Sequence, residues 1–185
     1  VATRLARRQR GKATRRAPWL HSGNATPADF AREFPELQHG INPLFKKRAD
    51  CQINCQSCVI SVERSLDGAQ CSAVPRPRLV DANGNPIPDP RFNWPQSVID
   101  AVGGRLRPAS GYDDIARELE AAGEGARGII HGKRVAYDQN GNLVWVPGHV
   151  FNVIYRNGKV HFIDGQTGGY AYLENYYAYE FLRTR

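Results

Sequence analysis

The chain has 185 residues, a length that fits one domain, and its 41% hydrophobic content argues against a disordered protein. No apolar run approaches the ~18 residues that a membrane-spanning helix needs, and no signal-peptide core follows the basic N-terminus. Residues 1–16 carry seven basic and no acidic side chains, while the rest of the chain holds 18 of each, so the net charge of +7 belongs to this segment alone.

We therefore expect residues 1–28 to form a basic, flexible lead-in and residues 29–185 to form one neutral domain. The domain shows no interleaving of basic and aromatic residues, so nucleic-acid binding is not expected and the basic segment is interpreted as a linker or a contact with a parent protein. The sequence has no methionine, including at position 1, which predicts a piece of a longer protein.

Helical patterns come first along the chain. Pro27 can begin a short helix with apolar residues along one face. A clearer helix is predicted from Asn54, a good N-cap residue, to about Leu66, because Asp67-Gly68 is a good helix stop. One face of this second helix is expected to carry Cys55, Cys58, Val59, Val62 and Leu66.

The middle of the chain, residues 74–95, is rich in proline and predicts a long surface loop. Two short helices are expected at residues 96–102 and 112–122. The pattern then alternates with the period of a strand, and the tail from Tyr170 to Phe181 is expected to form an edge strand or a last helix. The alternating segments are Arg127–His131, Asn142–Val146, His149–Arg156 and Lys159–Asp164. Helices followed by an antiparallel meander predict an α+β domain.

Asn140-Gly141 and Asn157-Gly158 are strong signals for hairpin turns, and the second sets a register. If Asn157-Gly158 is a two-residue turn, His149 and Asp164 become diagonal neighbours on one face of the sheet. An aspartate at that distance can hold a histidine ring in one tautomer. His161 falls on the opposite face in this register and is expected to take no part in chemistry.

A nucleophile for this pair is available at the start of the predicted Cys-bearing helix. Cys55 would directly follow the Asn54 cap, where the helix dipole, the free N–H groups and a nearby protonated histidine stabilise a thiolate. The same N–H groups could hold an oxyanion. Cys58 remains the alternative nucleophile, because papain-like proteases place a glutamine six residues before the catalytic cysteine and Gln52 has that spacing.

Two further side chains are candidates around this centre. Gln166 falls opposite His149 in the proposed register, where it could bond the histidine or the substrate amide, or cap the following turn. Trp145, four residues before His149, could wall a cleft, although a core position is the expectation for a tryptophan. Asn54, at the start of the Cys-bearing helix, and Gln166 are the candidates for contacts with the oxyanion and the substrate.

The four cysteines offer a different interpretation. Cys51, Cys55, Cys58 and Cys71 have the spacing C-x3-C-x2-C-x12-C, which could form a four-thiolate zinc site in a binding module. A disulfide such as Cys51–Cys71 is also open if the protein is secreted.

Two stretches of the sequence resemble papain-fold polymorphic toxins. Asn54-Cys55-Gln56-Ser57-Cys58-Val59 is similar to the Cys motif of that family. The segments 148–153 and 160–168 are similar to its His and Asp motifs. The resemblance covers roughly residues 50–170 and implies a papain-like α+β fold, in which the N-terminal helix carrying the cysteine packs on the C-terminal antiparallel meander. It also implies catalytic roles for Cys55, His149 and Asp164, with no cofactor or metal.

The family resemblance implies a secreted bacterial toxin domain that deamidates glutamine side chains of a protein in the cytoplasm of a target cell. It also implies an immunity protein that covers the cleft. The residues alone leave a cysteine protease or related acyl transferase open, because a peptide amide and a glutamine amide meet the same nucleophile.

Overall fold

The computed structural model describes residues 26–185, so residues 1–25 of the predicted basic lead-in lie outside the described part. The described residues form four α-helices: α1 Pro27–Glu33, α2 Cys55–Leu66, α3 Gln96–Val102 and α4 Tyr112–Ala122. They also form six strands: β1 Arg105–Ala109, β2 Arg127–Tyr137, β3 Leu143–Arg156, β4 Lys159–Asp164, β5 Gly169–Tyr170 and β6 Ala178–Arg183. No helix within this range is long and apolar enough to cross a membrane.

The strands make one antiparallel sheet in the order β1-β6-β2-β3-β4-β5. The predicted meander is its β2-β3-β4 centre. The tail was predicted to form an edge strand or a last helix. Tyr170 at its start does lie in the edge strand β5, but for residues 178–181 the prediction was wrong, because β6 lies between β1 and β2. Phe181 and Leu182 show why: neither is exposed, and they pack into hydrophobic clusters on opposite faces of the sheet. β1, which was not predicted, contains Pro108 and is an edge strand, where proline is tolerated.

Helices cover both faces of the sheet. On one face Ile115 and Leu119 of α4 pack against Phe151 and Val153 of β3. On the other face α1 and α2 pack against β3 and β4, with Val62 in contact with the cluster there. The helix that carries the cysteines therefore lies across the central strands, as the papain-like expectation requires.

Helix α2 begins at Cys55 and ends at Leu66, close to the predicted bounds. Cys58, Val59 and Val62 of its predicted apolar face are buried. Asn54 stands at the cap position, but its side chain makes no capping hydrogen bond. The N-terminus of α2 is therefore left without a side-chain cap.

The Asn157-Gly158 turn has the predicted two-residue form. Both residues have positive φ, 52° and 71°, as the tight turn between twisted strands requires. Arg156 pairs with Lys159, and the ladder runs outward in the predicted register to Asn152 and Ile163. By contrast, residues 138–142 form a wider loop around Asn140-Gly141. There the Asp138 carboxylate accepts hydrogen bonds from the backbone N–H groups of Asn140 and Asn142. These bonds stabilise a loop of five residues in place of a two-residue turn.

The two strands predicted at 142–146 and 149–156 are one strand, β3, with a bulge between them. Gly132 pairs with His149 and Arg134 pairs with Val146, so Pro147 and Gly148 together oppose one residue of β2. The extra residue reverses the alternation of side chains along the rest of the strand. Residues 143–146 of β3 therefore place their side chains on the face opposite to the one that uninterrupted alternation from His149 would give.

The prediction for Trp145 fails because of this bulge. Plain alternation would place Trp145 on the His149 face, but the bulge moves it to the other face, opposite Val135. There its ring contacts Tyr177 and Lys133 and remains 63% exposed, so it is neither a core residue nor part of the cleft wall.

Candidate active site

A cleft of about 540 Å³ opens beside the point where β4 stops pairing with β3. Its walls come from the segment before α2, the bulged end of β3, the turn after β4 and the loop before β6. The lining residues are Gln52, Ile53, Cys55, Arg76, Arg134, Pro147, Gly148, His149, Asp164, Gln166, Tyr172 and Glu174. The cleft thus brings Cys55, His149 and Asp164 together from three separate elements.

His149 and Asp164 form the pair that the register predicts. The ring Nε2 lies 3.2 Å from Asp164 Oδ2, while Asp164 Oδ1 accepts the Gln166 N–H at 2.9 Å. The imidazole stacks on the Phe151 ring, with the ring centres 5.8 Å apart, and this contact restrains the orientation of the imidazole plane. Because Nε2 bonds Asp164, the other ring nitrogen of His149, Nδ1, is the one available to Cys55.

Cys55 bonds to His149 and to the backbone of Val150, on the edge of β3 that β4 no longer covers. Burial opposes a thiolate here, but the hydrogen bond and positive charge of His149 outweigh it, so the pKa of Cys55 lies below that of an ordinary thiol. Burial likewise opposes an imidazolium, but hydrogen bonds with Asp164 and Cys55 raise the pKa of His149 to about 9. The two groups each stabilise the charged form of the other.

Close backbone contacts position these elements. A Cβ on Gly148 would lie 2.2 Å from the Gly132 carbonyl oxygen and 2.9 Å from His131 Nε2, so only glycine fits the bulge before His149. A Cβ on Gly165 would lie 2.6 Å from Val62 of α2. The turn after Asp164 can therefore lie directly against the helix that carries Cys55.

Cys58 occupies a different environment. It is 1% exposed, and its Sγ donates to Asn54 Oδ1 at 3.4 Å. Burial, together with the nearby Cys55 and Asp164 charges, raises its pKa well above that of an ordinary thiol. Gln52, which favoured Cys58 by sequence spacing, lines the cleft in which Cys55 lies, and its Nε2 donates to the Phe45 carbonyl.

Asn54 is fully buried and faces inward. Its Oδ1 accepts hydrogen bonds from Asn42, Cys58 and Gln166, and its Nδ2 donates to the Val74 carbonyl. Gln166, the other substrate candidate, does line the cleft, and its bond to Asn54 holds it there. No hydrogen bond between Gln166 and His149 is formed within residues 26–185, so that expected contact is replaced by the bond to Asn54.

The cysteines do not converge on a metal site. All four are free thiols, and within residues 26–185 no three His, Cys, Asp or Glu side chains are grouped closely enough to hold a metal. Cys71 Sγ instead donates to the Ser61 carbonyl, and Cys51 is buried. Within residues 26–185 the cysteines therefore form neither a disulfide nor a group of thiolates that could hold zinc.

Several cleft residues were not identified from the sequence. Arg134 and Glu174 form an ion pair at 2.6 Å across the cleft, although 40 positions separate them. Arg134 lies beyond the predicted end of its strand, and Glu174 lies in a loop. Arg76 lies in the proline-rich segment, and no local pattern there indicates that it lines the cleft.

Comparison with known proteins covers the same segment. The family described as papain fold toxin 1, glutamine deamidase, matches residues 53–169, which include Cys55, His149 and Asp164. Among solved structures, the chain is similar to the G161 variant of the Salmonella effector SpvD, at 13% identity and a TM-score of 0.43, over 89% of this chain and 95% of that chain. No curated protein matches the chain.

The family match and the arrangement of four helices and an antiparallel six-stranded sheet within residues 26–185 confirm the predicted papain-like α+β fold. A cysteine-based enzyme is the activity class that this family represents. Since the match spans more than half of the chain, the protein belongs to the family of papain-fold toxins that are glutamine deamidases.

Proposed function

We propose that this domain deamidates glutamine side chains of a protein in a target cell, with Cys55 as nucleophile, His149 as proton carrier and Asp164 as the residue that orients His149. The observation that carries the proposal is the cysteine of lowered pKa bonded to a histidine of raised pKa, which is in turn bonded to a carboxylate in one cleft. At neutral pH this arrangement supplies both a nucleophile and a proton donor.

The reaction starts with attack of the Cys55 thiolate on the carbonyl carbon of the glutamine side chain. His149 then gives its proton to the amide nitrogen, ammonia leaves, and a thioester between Cys55 and the substrate remains. Neutral His149 takes a proton from water, whose oxygen attacks the thioester carbon. Collapse of this second tetrahedral intermediate releases glutamate and restores the thiolate–imidazolium pair.

The negative oxygen of both tetrahedral intermediates needs hydrogen-bond donors. The first N–H to bond within the helix at its start is that of Ser57, to the Asn54 carbonyl, which leaves the N–H groups of Cys55 and Gln56 directed to the open end of α2. Because no side chain caps this end, these two groups are the oxyanion donors that we propose. Asn54 supports them indirectly, by holding Gln166 beside the substrate amide.

The biological setting is part of the same proposal. A toxin domain of this family would be delivered from a bacterium into the cytoplasm of the target cell. Four free cysteines are consistent with a fold that does not depend on an oxidising compartment. The producing cell would then need an immunity protein that covers the cleft.

The test is incubation of the purified protein with a lysate of recipient cells, followed by mass spectrometry for glutamine-to-glutamate conversion and for new chain ends. Cys55→Ala should abolish the conversion, and the matched variant Cys58→Ala should retain it. If the wild-type protein produces new chain ends without converting glutamine to glutamate, the activity is that of a protease. Loss of conversion in Cys58→Ala, with its retention in Cys55→Ala, would reverse the choice of nucleophile.

A further inference from the structure

The charged side chains of the cleft are paired, with one exception. His149 bonds Asp164, and Arg134 bonds Glu174. Arg76 also lines the cleft, but it forms no ion pair within 4 Å with any carboxylate of residues 26–185. Its positive charge is therefore available to a bound molecule.

Two acidic residues in the surroundings of Arg76 form their ion pairs with other arginines. Asp50, whose backbone oxygen accepts the Arg76 N–H at 2.8 Å, has its side chain bonded to Arg48 at 2.5 Å. Asp89 is bonded to Arg91 at 2.6 Å. The Arg76 charge helps to lower the pKa of Asp89, but neither carboxylate forms an ion pair with Arg76.

The position of Arg76 is fixed in advance of binding. Pro75 and Pro77 restrict the backbone on either side, and the backbone N–H is anchored on Asp50. The guanidinium carbon lies 5.2 Å from the ring centre of Phe92, which is 5% exposed. A cation held in place loses little conformational entropy when it pairs with a carboxylate.

We propose that Arg76 selects glutamines that have an aspartate or glutamate nearby in the substrate, by pairing with that carboxylate while the glutamine side chain meets Cys55. This inference rests on the proposed function and names a feature of its substrate. A partly exposed ion pair of this kind corresponds to about a fivefold preference.

The test compares short peptides that carry one glutamine flanked either by glutamate or by alanine, with ammonia release as the measurement. Wild type should favour the acidic peptide about fivefold in kcat/KM, and Arg76→Gln should bring the ratio of the two rates close to one. Arg76→Lys should keep part of the preference. Arg78→Gln is the matched control, because Arg78 is exposed and does not line the cleft, and its ratio should equal that of wild type.

An unchanged ratio in Arg76→Gln, or a ratio near one in wild type, would overturn the proposal. An equal proportional fall for both peptides would also overturn it, because Arg76 would then act on the nucleophile. If wild type converts glutamines in a lysate but not in peptides, the residues flanking the converted sites are compared between wild type and Arg76→Gln, with the same expected outcome. If wild type converts no glutamine at all, the proposed function itself fails.

Discussion

Asp164→Asn removes one charge from the centre of the site and nearly preserves its shape. The amide can still accept the Gln166 N–H that Asp164 Oδ1 accepts at 2.9 Å. The atom that faces His149 Nε2, Oδ2 at 3.2 Å in the wild type, then becomes a neutral NH2 group that cannot accept the ring N–H. Asp164 is the largest of the causes that raise the pKa of His149 to about 9 from its ordinary 6.5, a difference worth about 3 kcal/mol.

Without that carboxylate, burial is opposed by Cys55 alone, and we expect the pKa of the His149 ring to fall from about 9 towards its ordinary value of 6.5. In wild type the raised pKa keeps His149 charged until the pH passes about 9, so on the alkaline side activity should begin to fall only above that point. In the variant the thiolate loses its charged partner at neutral pH, so the pKa of Cys55 should rise. Activity at pH 7 should fall by about 10²–10⁴-fold, the usual contribution of a positioned proton carrier.

Two measurements check this expectation independently of any substrate. Titration of the His149 ring by NMR should show its midpoint moving down, and the pH profile of Cys55 alkylation by iodoacetamide should show its midpoint moving up. Asp100→Asn serves as the control, because Asp100 is exposed on α3 and does not line the cleft. A His149 midpoint that stays near 9 in Asp164→Asn would refute the reasoning, because Cys55 alone would then hold the charge.

Three other variants test the surrounding structure. Cys58→Ala should lower the free energy of unfolding by about 1 kcal/mol while leaving the alkylation of Cys55 intact, and loss of that alkylation would contradict the assignment. Gly148→Ala should cost about 1–3 kcal/mol in urea unfolding and reduce activity, because its Cβ overlaps the opposite strand; a fully active, equally stable variant would exclude the close contact. Glu63→Gln breaks the buried pair with Arg127, 2.8 Å long and outside the active-site cleft, so stability should fall by about 3 kcal/mol with turnover unchanged. A fall in turnover for the folded variant would show coupling between the two regions.

The parts of the site that sequence could predict depend on local rules. Helix α2 follows from an apolar period and its flanking residues, so the position of Cys55 at a helix start could be predicted. The two-residue Asn157-Gly158 turn fixes the register of β3 and β4 over short separation, and with it the proximity of His149 and Asp164. These two local facts were enough to define the candidate centre.

The remaining features depend on contacts between distant segments. Asn54 has the composition of a helix cap, but its partners Asn42, Val74 and Gln166 lie 12, 20 and 112 positions away and turn it inward. The place of β6 inside the sheet depends on β1, whose sequence does not look like a strand. Long-range competition of this kind overrides local preference, and no single-sequence pattern reports it.

The bulge at Pro147 and Gly148 separates two parts of the hairpin that can vary independently. The face on which His149 lies is set by the pairing of β3 with β2 and β4, whereas the faces of residues 143–146 relative to His149 are set by the bulge. One residue inserted into β2 opposite the bulge would restore plain alternation and turn Trp145 towards the cleft side while the catalytic candidates kept their places. A single-residue insertion could thus exchange the surface beside the cleft without rebuilding its chemistry, a route by which toxins sharing this centre can diverge in the proteins they contact.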